Sequence, residues 1–475
     1  MTWERQSRRG LLKGLAAGGL AAGGLVTASR SGAAPAPSVP PSSVPPSSAP
    51  PSSAPGPDRL AGAPPKEWTD PATGYRIVRL SPDEGGGKLY FYKNSFTPEG
   101  DLMVMSTPSG IVAVDVRTQA LRKLVSDPKA DLLFTARRSR RVFYSVSDPG
   151  EEQPMDRPRT IFSVDIDSGR KQRIGRIPNG QINAANADDT LMLGFVAHGA
   201  KPLQPGVADP RNRRFDQAEY SAKGPDGKPL NFARAKGVRM LERWAARYPM
   251  EIFTLDLRSG ERRTIHKTNE WIGHTQFSPT DPQRLIFSHE GPWHRVDRMW
   301  TMRTDGSDLR KLHQRTMNFE IFGHEWFGAD GREVYYDLQT PRGQVFWVAS
   351  VNLDTGARVW RRVERNDWSV HFNRSPDGTR FAGDGGDAEM VAHARDGKWL
   401  VLLQPEEVPD ADPQSDQAEL ISTQVMRSTR LVNMAAHDYR LEPNVTFTPD
   451  GRWIVFCSNM HGRNHVYAVD LSIAK

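Results

Sequence analysis

From Val114-Asp115 onwards the chain keeps restarting one phrase. Apolar stretches run into polar turns at Val114-Asp115, Val164-Asp165, Leu255-Asp256, Met302-Arg303, Val351-Asn352, Leu402-Leu403 and Val469-Asp470. The positions 115, 165, 256, 303, 352, 402 and 470 lie 50, 91, 47, 49, 50 and 68 residues apart. A period near 50 is the length of a four-stranded propeller blade, a unit that cannot bury its apolar faces alone and must stack on copies of itself. The repeat therefore predicts an all-β chain, a seven-bladed β-propeller. Eight blades, with the longest gap holding a degenerate one, is the alternative.

The punctuation within each repeat agrees. Asp167-Ser168-Gly169, Arg258-Ser259-Gly260, Asp305-Gly306 and Asp354-Thr355-Gly356 are hairpin signals. Phe96-Thr97-Pro98-Glu99-Gly100, Phe277-Ser278-Pro279, Ser375-Pro376-Asp377-Gly378 and Phe447-Thr448-Pro449-Asp450-Gly451 recur before middle strands. In them Pro presets φ before a turn and Gly accepts positive φ. The gap of 91 contains Phe232–Ala246, which is Ala-rich with a single internal Gly and reads as a helix. A loop and helix inserted on one face of a propeller usually build the ligand surface. Tyr75–Leu80 reads as a strand that closes the ring on the last blade, near Trp453–Cys457 and His465–Val469.

Three segments are expected. Residues 1–33 contain Ser7-Arg8-Arg9-Gly10-Leu11-Leu12-Lys13 before a weakly apolar, Gly-rich run, the pattern of a twin-arginine signal. That predicts a periplasmic or secreted protein. Residues 34–65 repeat Pro-Pro-Ser-Ser with Ala and have almost nothing to bury, so they read as a disordered linker. Residues 66–475 are the propeller domain. The mean hydropathy of −0.59 and the weakness of the one apolar run argue against an integral membrane protein once the signal is removed. Cys457, the single cysteine, permits no internal disulfide and reads as a buried strand residue. The formal charge is +7, but Arg5, Arg8, Arg9, Lys13 and Arg30 against Glu4 place most of it in the leading segment. What remains suits an anionic ligand and gives no reason to expect nucleic acid.

The chemistry gathers around histidine. Of 12, half stand in Trp271-Ile272-Gly273-His274, Ser288-His289-Glu290-Gly291-Pro292-Trp293-His294, Gly323-His324-Glu325-Trp326, Trp368-Ser369-Val370-His371 and His437-Asp438-Tyr439-Arg440-Leu441-Glu442-Pro443-Asn444. Each phrase falls at the same phase of a successive repeat. Equal phase in different blades brings side chains to one end of the central channel, so a polar cavity is expected there. A single histidine would more simply be a structural strand residue; the set, with Trp, Glu and Arg beside it, points to a site.

These phrases resemble the oligogalacturonate lyase family. Gly273-His274, His289-Glu290-Gly291-Pro292, Val296-Asp297-Arg298-Met299-Trp300, Gly323-His324-Glu325-Trp326 and Phe447-Thr448-Pro449-Asp450 stand in family order, and Tyr90-Phe91-Tyr92 matches the first blade. The resemblance covers residues 66–473. It implies cleavage of an acidic oligosaccharide, a pectic oligogalacturonide or related uronide, by β-elimination with a bound divalent metal, Mn²⁺ or else Ca²⁺. It implies His274 as the base, and His324 as a metal ligand oriented by Glu325. His289, His294, His371 and Arg440 are then candidates for substrate binding. The sequence departs from the family where Gln-x-x-His-x-His completes the metal site; Tyr439, Glu442 and Asn444 stand at those offsets. Glu442 and Asn444 can offer oxygen to a harder cation. Alternatively Arg440 or His371 neutralises the substrate carboxylate without a metal. The rival reading is a non-catalytic propeller, similar to TolB, that binds sugars or protein. No Gly-x-Ser-x-Gly elbow supports a hydrolase, and Asp384-Gly385-Gly386-Asp387 reads as a turn.

Overall fold

A computed structural model describes residues 60, 62–148, 157–200, 223–228, 230, 232–408 and 419–473. The signal segment 1–33 and nearly all of the linker 34–65 lie outside the described residues.

Seven antiparallel blades follow one another along the chain. Their first strands are innermost. Blades 2 to 7 begin with Asp131–Thr135, Gln181–Ala185, Trp271–Phe277, Ile321–Phe327, Phe372–Arg374 and Thr446–Phe447. Blade 1 is a three-stranded sheet whose first strand, Leu102–Thr107, gains an inner edge through a bridge from Met103 to Phe96. The seven-blade expectation holds, and no eighth sheet occurs among the described residues.

Ring closure follows the sequence reading. Arg76–Arg79 pairs antiparallel with His465–Asp470, in the register Ile77↔Val469, Val78↔Ala468 and Arg79↔Tyr467. Blade 7 is thus built from both ends of the domain. Blades 5 and 6 also join at their outer edges, where Val359–Arg362 runs parallel to Ser422–Val425. That pairing covers two edges that would otherwise offer unpaired backbone groups.

The core is a ring of layers between blades rather than one central mass. Val78, Val466 and Ala468 of blade 7 meet Met103, Met105 and Val114 of blade 1. Phe134 and Phe143 of blade 2 meet Met192 and Phe253 of blade 3. Alternation along each strand sends one set of side chains to each neighbouring blade. Cys457 is buried in one such strand, Trp453–Ser458.

The insertion lies between the second and third strands of blade 3. Its described part carries helix α1, Phe232–Ala246. No described helix is long and apolar enough to cross a membrane.

Candidate active site at one end of the propeller axis

His274 and His324 occupy the same place in the innermost strands of blades 4 and 5. Each follows a Gly and each has a left-handed backbone, with φ of 51° and 49°. The strand register slips between Gly273 and Gln276 and again between Gly323 and Trp326. Such a bulge turns the histidine out of the regular alternation and towards the axis. Asn444, just before the innermost strand of blade 7, has φ of 57°. Two inner strands and the approach to a third therefore carry a polar residue in an uncommon backbone conformation, a pattern associated with functional sites.

The preceding glycines are required by close approach. A Cβ on Gly273 would collide with the Glu290 carboxylate, and one on Gly323 with the Trp293 ring. The Gly-His pair thus admits a neighbour's side chain against the strand while the histidine turns inward.

The imidazoles form a cluster. Ring centroids of His274 and His324 lie 6.4 Å apart, and those of His324 and His371 5.0 Å. His371 Nδ1–H donates to Asp384 Oδ2 at 2.8 Å, and its backbone N–H donates to Asp384 Oδ1 at 2.8 Å. The Asn444 N–H donates to the same carboxylate at 3.0 Å. His324 Nδ1–H donates to Asp337 Oδ1 at 3.0 Å. In both rings Nε2 is left as the lone-pair nitrogen. The Tyr90 hydroxyl donates to His371 Nε2 at 2.8 Å, and Tyr90 and Tyr92 both pack against His274.

His274 is surrounded by charge. Its Nε2 lies 3.6 Å from Glu290 Oε1, and Glu290 is ion-paired with Arg243 of α1. His274 Nδ1 is buried without a hydrogen-bond partner. Burial holds the His274 pKa below its ordinary value of 6.5, against the opposing pull of the Glu325 and Glu290 carboxylates. Burial likewise lowers that of His324 from 6.5, with Asp337 opposing it. Both rings are therefore neutral at neutral pH. For Glu290 burial acts to raise the pKa, but Arg243, His274 and Arg298 outweigh it and hold the carboxyl at about 2. Glu442 is treated alike: Lys236, His371 and His324 overcome burial and bring it to about 2.

Above the cluster is a cavity of about 410 Å³, a size ordinary for a small ligand. His324, Asp337, Glu442 and His294 give it polar walls, while Trp293, Ile321, Trp368 and Val370 give it apolar ones. Helix α1 covers it with Ala233, Lys236, Gly237, Met240 and Leu241.

The sequence-derived residues divide accordingly. His274, His324, His371, Glu442 and Asn444 converge, and His294 lines the cavity with its ring against Phe319. His289 does not join them. It stands on the second strand of blade 4, packed on Phe287 and Trp300, because strand alternation points it away from the face that carries Glu290. Arg440 turns back to an ion pair with Asp438. Glu325 does not hold His324; Asp337 does, since it lies across the strand pair from Gly323. Glu325 is buried with neither oxygen partnered, and with burial it raises the Tyr92 pKa. Asp384, read from sequence as part of a turn, instead follows the second strand of blade 6 and belongs to the site, as do Asp337, Tyr90 and the α1 cations Lys236 and Arg243, to which the sequence reading gave no role. An Asp near the end of a second strand or just after it, across from a histidine-bearing inner strand, is the readable signal for the two acids.

Comparison with known proteins agrees with this fold. The sequence model of the family described as oligogalacturonate lyase matches residues 239–474. The oligogalacturonate lyase of Dickeya dadantii (strain 3937) is 25% identical over 420 residues, covering 84% of this chain and 94% of the relative. The oligogalacturonide lyase of Pectobacterium atrosepticum is 24% identical over 414 residues, covering 84% and 94%. Among solved structures, an oligogalacturonate lyase in complex with manganese superposes with a TM-score of 0.64 at 21% identity, over 86% of this chain and 96% of that one. One from Vibrio parahaemolyticus gives 0.63 at 20% identity, over 86% and 96%.

Proposed function

We infer that this chain, which resembles the oligogalacturonate lyases along the length of its propeller, is a carbon–oxygen lyase that cleaves oligogalacturonides or related uronides by β-elimination. The observation that carries the reading is the convergence of His274, His324 and His371 from three successive blades on one end of the axis.

In the reaction the C5 proton leaves, a C4–C5 double bond forms, and the glycosidic bond at C4 breaks, with its oxygen leaving protonated. The C5 proton lies beside a carboxylate and is weakly acidic, so the base must be neutral and the developing charge must be met. His274 is assigned as the base. Burial keeps it unprotonated, and Glu290, ion-paired with Arg243, lies 3.6 Å from its Nε2. His294 and the tryptophans of the cavity wall orient the sugar.

The donor set suits a divalent cation. His324 and His371 each have Nδ1 committed to a carboxylate, the arrangement common behind metal-binding imidazoles. Glu442 places a carboxylate oxygen 3.6 Å from His371 Nε2, and Asn444 Oδ1 is buried without a partner. As the side chains stand, no group of three or more His, Cys, Asp or Glu among the described residues encloses an ion, and the Tyr90 hydroxyl occupies His371 Nε2. His324, His371, Glu442 and Asn444 would hold the ion, of the Mn²⁺ or Ca²⁺ kind. Bound there, a cation supplies positive charge to the uronate carboxylate as its neighbouring proton is lost.

The test is ultraviolet absorbance of unsaturated uronide on a panel of oligogalacturonides, with manganese or calcium and with chelator. No unsaturated product from any uronide under any of these conditions rejects the reading. Export by the twin-arginine route belongs to the same proposal. It rests on Arg8-Arg9, and replacing both by Lys should leave the protein in the cytoplasm.

A further inference from the structure

A loop beside the cavity holds one residue under strain. The segment from His313 to Glu320 joins the last strand of blade 4, Arg310–Lys311, to the innermost strand of blade 5, Ile321–Phe327. Glu320, wholly buried, organises it. Its Oε2 accepts the N–H groups of Thr316 and Met317 at 2.7 and 3.1 Å, and its Oε1 lies 2.5 Å from His313 Nε2. Arg315 Nε donates to the Glu320 carbonyl at 3.1 Å, and Arg315 Nη1 to Asp297 at 2.7 Å. Phe319 sits inside this frame with φ of 60°, a conformation that a bulky side chain avoids. Its carbonyl accepts the Arg342 N–H at 2.8 Å.

Burial does not explain the strain. Phe319 is 60% exposed, more than any other large apolar residue described. Backbone strain held in place by its surroundings is a mark of functional positions. The Phe319 ring lies 5.3 Å from the His294 ring, at 38°, and His294 lines the cavity. Phe319 therefore extends the ring-lined wall of the cavity to the surface. Arg295 and Arg342 line the same cavity, both are exposed, and the charges of both act on His294. Arg295 lies 5.9 Å over the Trp244 ring, and neither guanidinium forms an ion pair among the described residues.

A sugar ring offers a flat face of C–H groups that packs on an aromatic ring, and a uronate adds a carboxylate at its edge. Arginine takes a carboxylate through two parallel N–H donors. An exposed, fixed aromatic ring with two such arginines beside it meets both demands. The bond that is cleaved joins two residues; a third has this rim to lie on.

We propose that Phe319, with Arg342 and Arg295, forms a subsite for a further uronate residue, next to the pair whose bond is cleaved, and that it makes the site prefer chains of three residues to the dimer. This rests on the reading of the chain as a uronide lyase and names the length of chain it selects.

The probes are di- and trigalacturonate. Binding is measured by calorimetry on the whole chain carrying H274A, with manganese, where cleavage is blocked and absorbance checks that the ligand stays intact. H274A should bind the trimer about tenfold more tightly than the dimer, the range for a hydrogen bond to a charged group. Adding F319G or R342M should reduce that ratio by about threefold or more, with dimer affinity unchanged in F319G. Glycine suits the backbone at 319, so F319G should melt no lower than its parent. F319Y should retain the ratio. Equal binding of dimer and trimer by H274A, or a ratio that survives F319G and R342M, would overturn the proposal. So would an F319G loss shared equally by both ligands, because Phe319 would then only support the cavity wall. Turnover by the wild type separates this from the reaction itself. Elimination from both chain lengths at equal kcat/KM sinks the subsite and keeps the lyase, while a Phe319-dependent preference for the trimer with no elimination keeps the subsite and sinks the lyase.

Discussion

Asp384 holds His371 from two directions at once: one carboxylate oxygen accepts the ring Nδ1–H at 2.8 Å, and the other accepts the backbone N–H at 2.8 Å. The Asn444 N–H joins at 3.0 Å. One buried aspartate therefore ties the inner edges of blades 6 and 7 and fixes which nitrogen of His371 faces the axis. Replacing it by Asn keeps the shape and removes the charge. D384N should lower divalent-metal affinity by about 10- to 100-fold, the usual effect of losing a carboxylate behind a ligating imidazole, with far-ultraviolet circular dichroism unchanged. Equal metal content in wild type and D384N after dialysis would contradict it.

His274 is the expected base. H274A should lower kcat by about 10² or more while KM for an oligogalacturonide changes little, since the cavity walls remain. Steady-state kinetics on trigalacturonate decides the point, and retention of more than a tenth of wild-type kcat would exclude the role.

The pH dependence follows from the same ring. Burial lowers the His274 pKa below 6.5, so the base stays neutral in solutions where a free histidine would take a proton. The acid limb of kcat/KM should therefore fall below pH 6.5: activity is full above it and is lost as pH drops through the lowered pKa. A limb at or above neutrality would assign it to another group.

Two histidines outside the site should govern acid stability. Burial brings His289 and His465 from 6.5 to about 4. Between those values the unfolded chain binds protons that the fold refuses, so stability falls as pH falls through this window. The loss is on the order of 3 kcal/mol for each ring at most. Urea midpoints followed from pH 7 downwards should show a flatter decline in H289F; a parallel decline would rule His289 out as the cause.

Gly323 has no room for a side chain, because the Trp293 ring lies against it and the Arg298 guanidinium stacks 4.0 Å over that ring. G323A should destabilise by about 1–3 kcal/mol, the cost of overpacking, and shift Trp293 in the cavity wall. Thermal melts and tryptophan fluorescence report both; an unshifted Tm would show that the wall yields freely.

Repetition made the fold legible. Seven recurrences of a strand and turn gave the blade count, and the interruption gave helix Phe232–Ala246 and its place. Phase also brought His274, His324 and His371 together, because phase along a blade is distance along the axis. What phase does not carry is which face of a strand a residue takes. His289 and Glu290 are neighbours in sequence, yet one packs between blades and the other faces His274. Nor does it report contacts across a strand pair, so Asp337 behind His324 was hidden and adjacent Glu325 was preferred. Lys236 was out of reach for another reason: the insertion breaks the repeat, and nothing periodic says where a helix will lie.

The closure of blade 7 joins residues made at opposite ends of synthesis. Ile77 emerges from the ribosome early and Val469 near the end, yet they are register partners. Until the last strand exists, Arg76–Arg79 has only the short strand Glu67–Thr69 beside it, and Ile77 and Val78, wholly buried in the finished ring, lack the blade that covers them. The blades between them can form as they appear, since each is a local meander, but the ring is completed by its longest-range contact. Closure is thus a checkpoint on chain completeness: a product cut short before His465 leaves an open blade at both ends, with two apolar edges ready to pair elsewhere.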